Sequence, residues 1–306
     1  MSDFPNGATS YGVPLIGSGQ IPVTTGNYWF VDSGHGNAAD AANHGKKSSR
    51  PFATIDYAIG KCTASNGDVI IVAPGHAESI ASATGCVADI AGITVVGLGN
   101  GLNRPVLTLT ATTSTISVTA ASVKFQNILI TAGVDELVSC FTVSGTDCTI
   151  DAVDYYESSS SYNCLAFLTT TAAADRLTIK NCNHTQTTAG AGASNWICLV
   201  GADDARIVDN DFQILMKNDA ATFVVGGLTT ASLRCKIHRN NIVAVGTGVI
   251  PISMYAGSTG LATYNNVGCS KTSQTGAIAL AGIYGAQNFV TNAANTNGIL
   301  DPAADT

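Results

Sequence analysis

Three groups of carboxylates stand out as residues that could do chemistry: Asp151/Asp154/Glu157, Asp203-Asp204 and Asp209/Asp211. A pair of carboxylates is the machinery of glycoside hydrolysis, one acting as acid and the other as base or nucleophile. Clustered carboxylates can instead hold Ca²⁺ while a basic residue removes a proton. Lys180, Arg206, Lys236 and Arg239 are the cations for such a site, and Asp209 lies close to Arg206 in sequence. Pairs of this kind are most often surface ion pairs of small energetic weight. Asp32, His35, Asp40 and His44 carry metal-ligating atoms, but their spacing matches no tight ligand pattern, so neither a metal nor another cofactor is expected. Gly97-x-Gly99-x-Gly101 opens no helix and reads as a turn rather than a phosphate cradle.

The cysteines fall at 62, 86, 140, 148, 164, 182, 198, 235 and 269. None forms a C-x-x-C pair, and the odd number leaves at least one unpaired within the chain. They read as small buried hydrophobes in a reducing compartment.

The elements that would position these groups recur along the chain. Short strand-like runs centre on Ile70, Val95, Phe125, Ile150, Ile179, Ile207, Ile237, Tyr264 and Phe289, spaced 25 to 30 residues apart. A period of that size signals a solenoid. Leucine-rich, helical and propeller repeats lack their signatures, so the pattern predicts an all-β, right-handed parallel β-helix of about nine coils. Asp154, Asn183 and Asp211 each stand four residues after an anchor and could form one column. Asp154 and Asp211 would then lie two coils, about 9.6 Å, apart, near the upper limit for an inverting carboxylate pair. They are the acid/base pair to test if the chain is an enzyme.

Composition agrees with stacked coils. Only 11% of the 306 residues are charged, with 32 glycines and a net charge of −7. Like charges one strand spacing apart repel, whereas Asn tolerates left-handed turns and can bond to the equivalent amide one coil away. The negative balance disfavours nucleic acid. Runs such as Val69–Ala73 are too short to span a membrane, so none is expected as a partner. The first cation is Lys46, so no basic leader precedes an apolar core. Folding in the cytoplasm is expected.

Four segments follow: an extended arm over 1–50, a capping helix and turn over 51–67, the β-helix over 68–292 and a frayed tail over 293–306. The helix has Phe52, Ile55, Ile59 and Cys62 on one face. The arm carries Phe4, Tyr11, Tyr28, Trp29 and Phe30 as candidate partner-binding anchors. Tyr155-Tyr156 and Tyr162 flank Ser158–Ser161, a loop that could contact a glycan.

The order Ser49-Arg50-Pro51-Phe52-Ala53-Thr54-Ile55, Asn66-Gly67-Asp68-Val69-Ile70 and Ala73-Pro74-Gly75-His76 resembles the start of pectate-lyase-like β-helix proteins. The opening Phe4-Pro5-Asn6-Gly7, with Phe30-Val31-Asp32-Ser33-Gly34 and Gly97-Leu98-Gly99, is similar to virion β-helix proteins of tailed bacteriophages. Ser33-Gly34-His35-Gly36 resembles the Gly-His-Gly element of polygalacturonases, but it precedes every coil, whereas in those enzymes it lies late in the β-helix. The phage resemblance implies a virion protein, assembled in the host cytoplasm. Its partner would be the major capsid protein and its state a homotrimer. The expectation is a non-enzymatic capsid decoration protein gripping the shell through its arm. The alternative is a tail-associated polysaccharide lyase or hydrolase acting on a host glycan.

Overall fold

The computed structural model describes residues 9–10, 13–14, 21–188, 190–217, 222–246, 248–270, 278–292 and 295–301. Three parallel sheets run the length of a right-handed parallel β-helix. The first sheet has ten strands, from Tyr28–Val31 and Val69–Val72 up to Ile283–Ala286. The second begins at Ala77–Ile80 and the third at Cys86–Ala88. Eight successive strand triplets make eight coils, and a partial ninth lacks its third strand among the described residues.

Each coil turns its alternate side chains inward, as the strand period of two requires. Ile70, Val95, Phe125, Ile150, Ile179, Ile207 and Ile237 are register partners and are buried. The column continues through Ala262 and Gly285, not through the expected Tyr264 and Phe289. Those larger residues point elsewhere: Tyr264 sits in a left-handed turn and Phe289 on the second sheet, both exposed. Small residues take the inward place of this column at its C-terminal end.

Asparagine fills two distinct roles. One column of left-handed turn residues follows the first sheet: Asn127, Ala152, Asn181, Asp209, Arg239, Tyr264 and Gln287. Beside it runs a buried amide ladder. Asn210 donates to Asn240, Asn240 to Asn265 and Asn265 to Asn288, each at 2.9 Å. Each ladder carbonyl also accepts a backbone N–H from the coil below.

The N-terminal end is closed by a helix shorter than the sequence suggests, Ile55–Ile59. Thr54 caps it, its hydroxyl accepting from the Tyr57 amide, and Asp40 accepts from the Ala53 and Thr54 amides. Phe52 lies before the helix and bridges Val31 as a strand residue. At the other end Asn295–Asp301 folds back antiparallel on Asn288–Asn292. Part of the expected frayed tail is therefore an edge-covering strand.

All nine cysteines are free thiols and eight are buried. Burial pushes the Cys62 thiol up to about 12 and that of Cys198 to about 11, so they remain neutral core groups.

His184 is fully buried, stacked on Phe212 and tilted against Phe167. Its Nδ1 accepts from Trp196 Nε1 at 2.8 Å, and its Nε2–H donates to the Val153 carbonyl at 3.0 Å. Burial pulls its pKa down to about 3. The folded pKa lies below the unfolded value, so stability is complete above about pH 6.5 and falls as pH drops toward 3. Between pH 7 and 4 this one group should remove roughly 3 kcal/mol. Urea unfolding midpoints should therefore drop more steeply with acid in the native protein than in His184→Leu.

A second prediction concerns the ladder. Asn240→Ala removes the acceptor of the Asn210 backbone and side-chain N–H groups and one donor to the Asn265 carbonyl, and should cost about 2–3 kcal/mol, measured by the same unfolding assay.

Candidate functional site

The outer face of the first sheet carries two side-chain columns over the later coils. In register they are Thr178, Arg206, Lys236, Leu261 and Tyr284, and beside them Lys180, Val208, His238 and Thr263. Asp204 and Arg234, in the turn before the sheet, form one rim, and Arg239, in the turn after it, forms the other. Together they enclose an open groove of about 780 Å³.

The groove is strongly cationic in a chain that is acidic overall. Five of the 14 Lys and Arg residues line it: Lys180, Arg206, Arg234, Lys236 and Arg239. The rim arginines are neutralised. Arg234 grips Asp204 with two bonds of 2.8 Å, and Arg239 grips Asp209 at 2.5 and 2.7 Å. These guanidinium bonds hold the Asp204 and Asp209 carboxyls below the usual carboxylate range. Lys180 shares Asp151 with Lys124, at 3.5 and 3.0 Å. Arg206 and Lys236 have no carboxylate partner among the described residues, yet they are direct register neighbours. Two adjacent cations one strand spacing apart repel.

Several other stacked charges alternate. Asp147 pairs with Arg176 from the next coil at 2.6 and 2.8 Å, and Asp204 with Arg234 one coil further on. Asp175 and Asp203 are like charges in adjacent coils, but Asp203 reaches Arg234 at 3.4 Å. The Arg206–Lys236 pair departs from alternation without an ion-pair partner among the described residues, and such departures concentrate at functional sites.

At the C-terminal end of the groove Tyr284 is 77% exposed, beside the half-exposed Leu261. Tyr264 is also exposed and meets His238 edge-on at 5.4 Å. His238 Nδ1 contacts the Thr263 hydroxyl at 2.7 Å, and Arg239 Nη1 donates to His238 Nε2 at 2.8 Å. Partial burial, then Arg239 and Lys236, depress the His238 pKa.

Asp154 and Asp211 do share an outward column, with Asn183 between them. Their surroundings are those of structural groups. Asp154 accepts from Arg104 Nη2 at 2.6 Å and from the Asn183 amide at 2.7 Å. Asp211 accepts from Asn241. Both lie on the second sheet, away from the cationic groove. Glu157 is used to order a loop, accepting from the Thr187 and Thr188 amides.

The expected partner anchors of the arm are spent inside the molecule. Tyr28, Trp29 and Phe30 form the first strand of the first sheet, paired with Val69–Ile71. Tyr28 is buried with its hydroxyl donating to the Pro22 carbonyl, Trp29 stacks on Phe52 under Lys46, and Phe30 packs on Val69, Ile71 and Val96. Phe4 and Tyr11 lie outside the described residues. Trp196 and Tyr155 are core residues, edge-to-face at 5.0 Å, so neither reaches a ligand. Asp32 accepts from the Gly34 amide and His35 from that of Asn37, so both serve local turns.

The sequence had named Arg206, Lys236, Arg239 and Lys180, but as ordinary ion-pair residues. His238, Arg234 and Tyr284 were missed. The available signal was register: Arg206 and Lys236 hold the same place in successive repeats, with no acid in that place.

No family model matches the chain, and no curated protein sequence matches it. The structure is similar to that of pectin methylesterase from carrot, with 14% identity over 91% of this chain and 87% of that one and a TM-score of 0.47. The expectation of a non-enzymatic chain runs counter to this finding, the similar solved structure being that of an enzyme, and the likeness extends to the fold alone.

Asp154→Asn should weaken the ion pair with Arg104, whose side chain is only 13% exposed. The expected cost is about 1–3 kcal/mol. Thermal unfolding checks it, and binding of ligands at the first-sheet groove should stay unchanged.

Proposed function

We propose that the chain acts on an acidic polysaccharide, held along the first-sheet groove by its carboxylates. The single observation that carries this reading is the Arg206–Lys236 column, two register-paired cations without an acid. A polymer bearing a carboxylate on each sugar supplies the missing countercharge at repeated intervals. Charge-assisted hydrogen bonds to carboxylates are the strong ones. The exposed Tyr284 ring beside Leu261 offers an apolar platform for a sugar face.

Of the two cleavage chemistries, the groove favours elimination over hydrolysis. Its carboxylates Asp204 and Asp209 are locked to arginines, which removes them as a free acid/base pair. In that elimination solvent hydroxide takes the proton from the carbon next to the carboxylate. The glycosidic C–O bond on the following carbon breaks, the leaving oxygen takes a proton from water and a C=C bond forms. Arg206 and Lys236, paired with the uronate carboxylate, stabilise the negative charge that develops on it. The virion setting rests on the sequence resemblance in residues 4–105 and makes a host-surface glycan the substrate in that setting.

Polygalacturonate and alginate should bind, with affinity falling as salt rises, and a neutral glucan should not. The double variant Arg206→Ala/Lys236→Ala should lose at least about tenfold in affinity while keeping its unfolding midpoint. Cleavage by elimination should release unsaturated uronates, read by their ultraviolet absorbance. Equal binding of neutral and acidic glycans would sink the groove reading. Binding without any new chain ends would remove the catalytic half.

A further inference from the structure

His238 occupies an unusual position in this groove. It stands in the outer column between Val208 and Thr263, with Lys180 two coils below. The charged and titratable groups around it are Lys236 on its own strand, Arg239 next to it, Asp209 across the turn and Tyr264 edge-on.

Its hydrogen bonds fix its state. Arginine only donates, so Nε2, facing Arg239 Nη1 at 2.8 Å, must be a lone-pair acceptor. The ring proton is then on Nδ1 and is donated to the Thr263 hydroxyl at 2.7 Å. The neutral ring thereby holds one end of Arg239, while Asp209 holds the other through two bonds. In this state the ring presents no donor to the groove.

We propose that His238 is a proton-operated part of an anion subsite, forming with Lys236 a carboxylate-binding corner once Nε2 is protonated. Proton uptake turns Nε2 from acceptor to donor. It cannot then accept from Arg239, whose guanidinium stays on Asp209. The charged ring must then turn away from Arg239, which brings the new N–H to the groove face that carries Lys236 on the same strand. A bound carboxylate favours that charged ring, and by linkage the charged ring favours the carboxylate. Partial burial, then the neighbouring Arg239 and Lys236, disfavour the charged ring in the empty groove, and a bound anion offsets them.

This inference rests on the acidic-polysaccharide reading. The test is binding of polygalacturonate to the full chain by calorimetry at about pH 7.5 and about pH 5.5, at constant salt. The polymer's own carboxylates stay ionised over that range. The native protein should bind about tenfold more tightly at the lower pH. His238→Gln keeps an acceptor for Arg239 but cannot titrate, and its affinity should change by less than about twofold. Nitrogen NMR of the native ring should show the proton on Nδ1 in the free protein and a raised pKa with polymer bound. Parallel pH dependence in both proteins, or a ring pKa unmoved by the polymer, overturns the latch and leaves the groove reading standing. No binding at either pH overturns both.

Discussion

Every residue of a coil sits one strand spacing, about 4.8 Å, from its equivalents above and below. That single constraint governs the molecule. A group that suits one coil must also suit the same group next door. Apolar columns satisfy it by packing, as in Val95, Phe125 and Ile150. Amides satisfy it because each is donor and acceptor at once, so Asn210, Asn240, Asn265 and Asn288 hand a hydrogen bond from coil to coil. Charges satisfy it only by alternating, as Asp147–Arg176 and Asp204–Arg234 do. The low charge of the chain, 11%, follows directly.

Against that rule the Arg206–Lys236 pair is conspicuous. Its repulsion is a local cost that no ion pair offsets among the described residues, Asp204 and Asp209 acting on Arg206 and Lys236 only through space, and it lies in an open groove. The amide ladder begins in the coil of Arg206 and runs on through that of Lys236 to the end of the first sheet. In earlier coils the corresponding buried places before the second-sheet strands are Ile128, Val153 and Cys182. In a solenoid, stability is close to a sum over neighbouring coils. The ladder therefore strengthens the coil interfaces that carry the unfavourable cations, and an outward site is held by an inward network a few residues away.

Much of this was legible in the sequence, and what was not has a physical cause. Seven anchors from Ile70 to Ile237 were in true register because the strand period of two keeps each run's central residue on one face; Val69, Ile71 and Val96, which flank the first two, pack on the other face with Tyr28 and Phe30. The next two failed because size no longer marks the inward residue: Ala262 is buried and Gly285 takes the next register place, while Tyr264 and Phe289 are exposed. The column of Asp154, Asn183 and Asp211 was also readable, since it depends on counting alone. Its chemistry was not, because the partner of Asp154 is Arg104, 50 residues earlier and two coils below. The aromatics of residues 28–30 looked like anchors of an arm because strand pairing with Val69–Ile71 is a long-range event with no local mark.

The groove was hidden for the opposite reason. Its residues were all named or nearly so, but an Arg beside an Asp in sequence invites the inference of an ion pair between them. The structure joins Asp209 to Arg239 in the next coil and leaves Arg206 without an acid. In a solenoid the relevant neighbour of a side chain is one repeat away, about 27 residues on average here, and only rarely the adjacent residue. Charge pairing must therefore be read down columns. Read that way, an unpaired cation followed by another in register is the strongest functional signal in the chain, and the aromatic at the end of that column, Tyr284, extends it from an electrostatic site to one shaped for a ring.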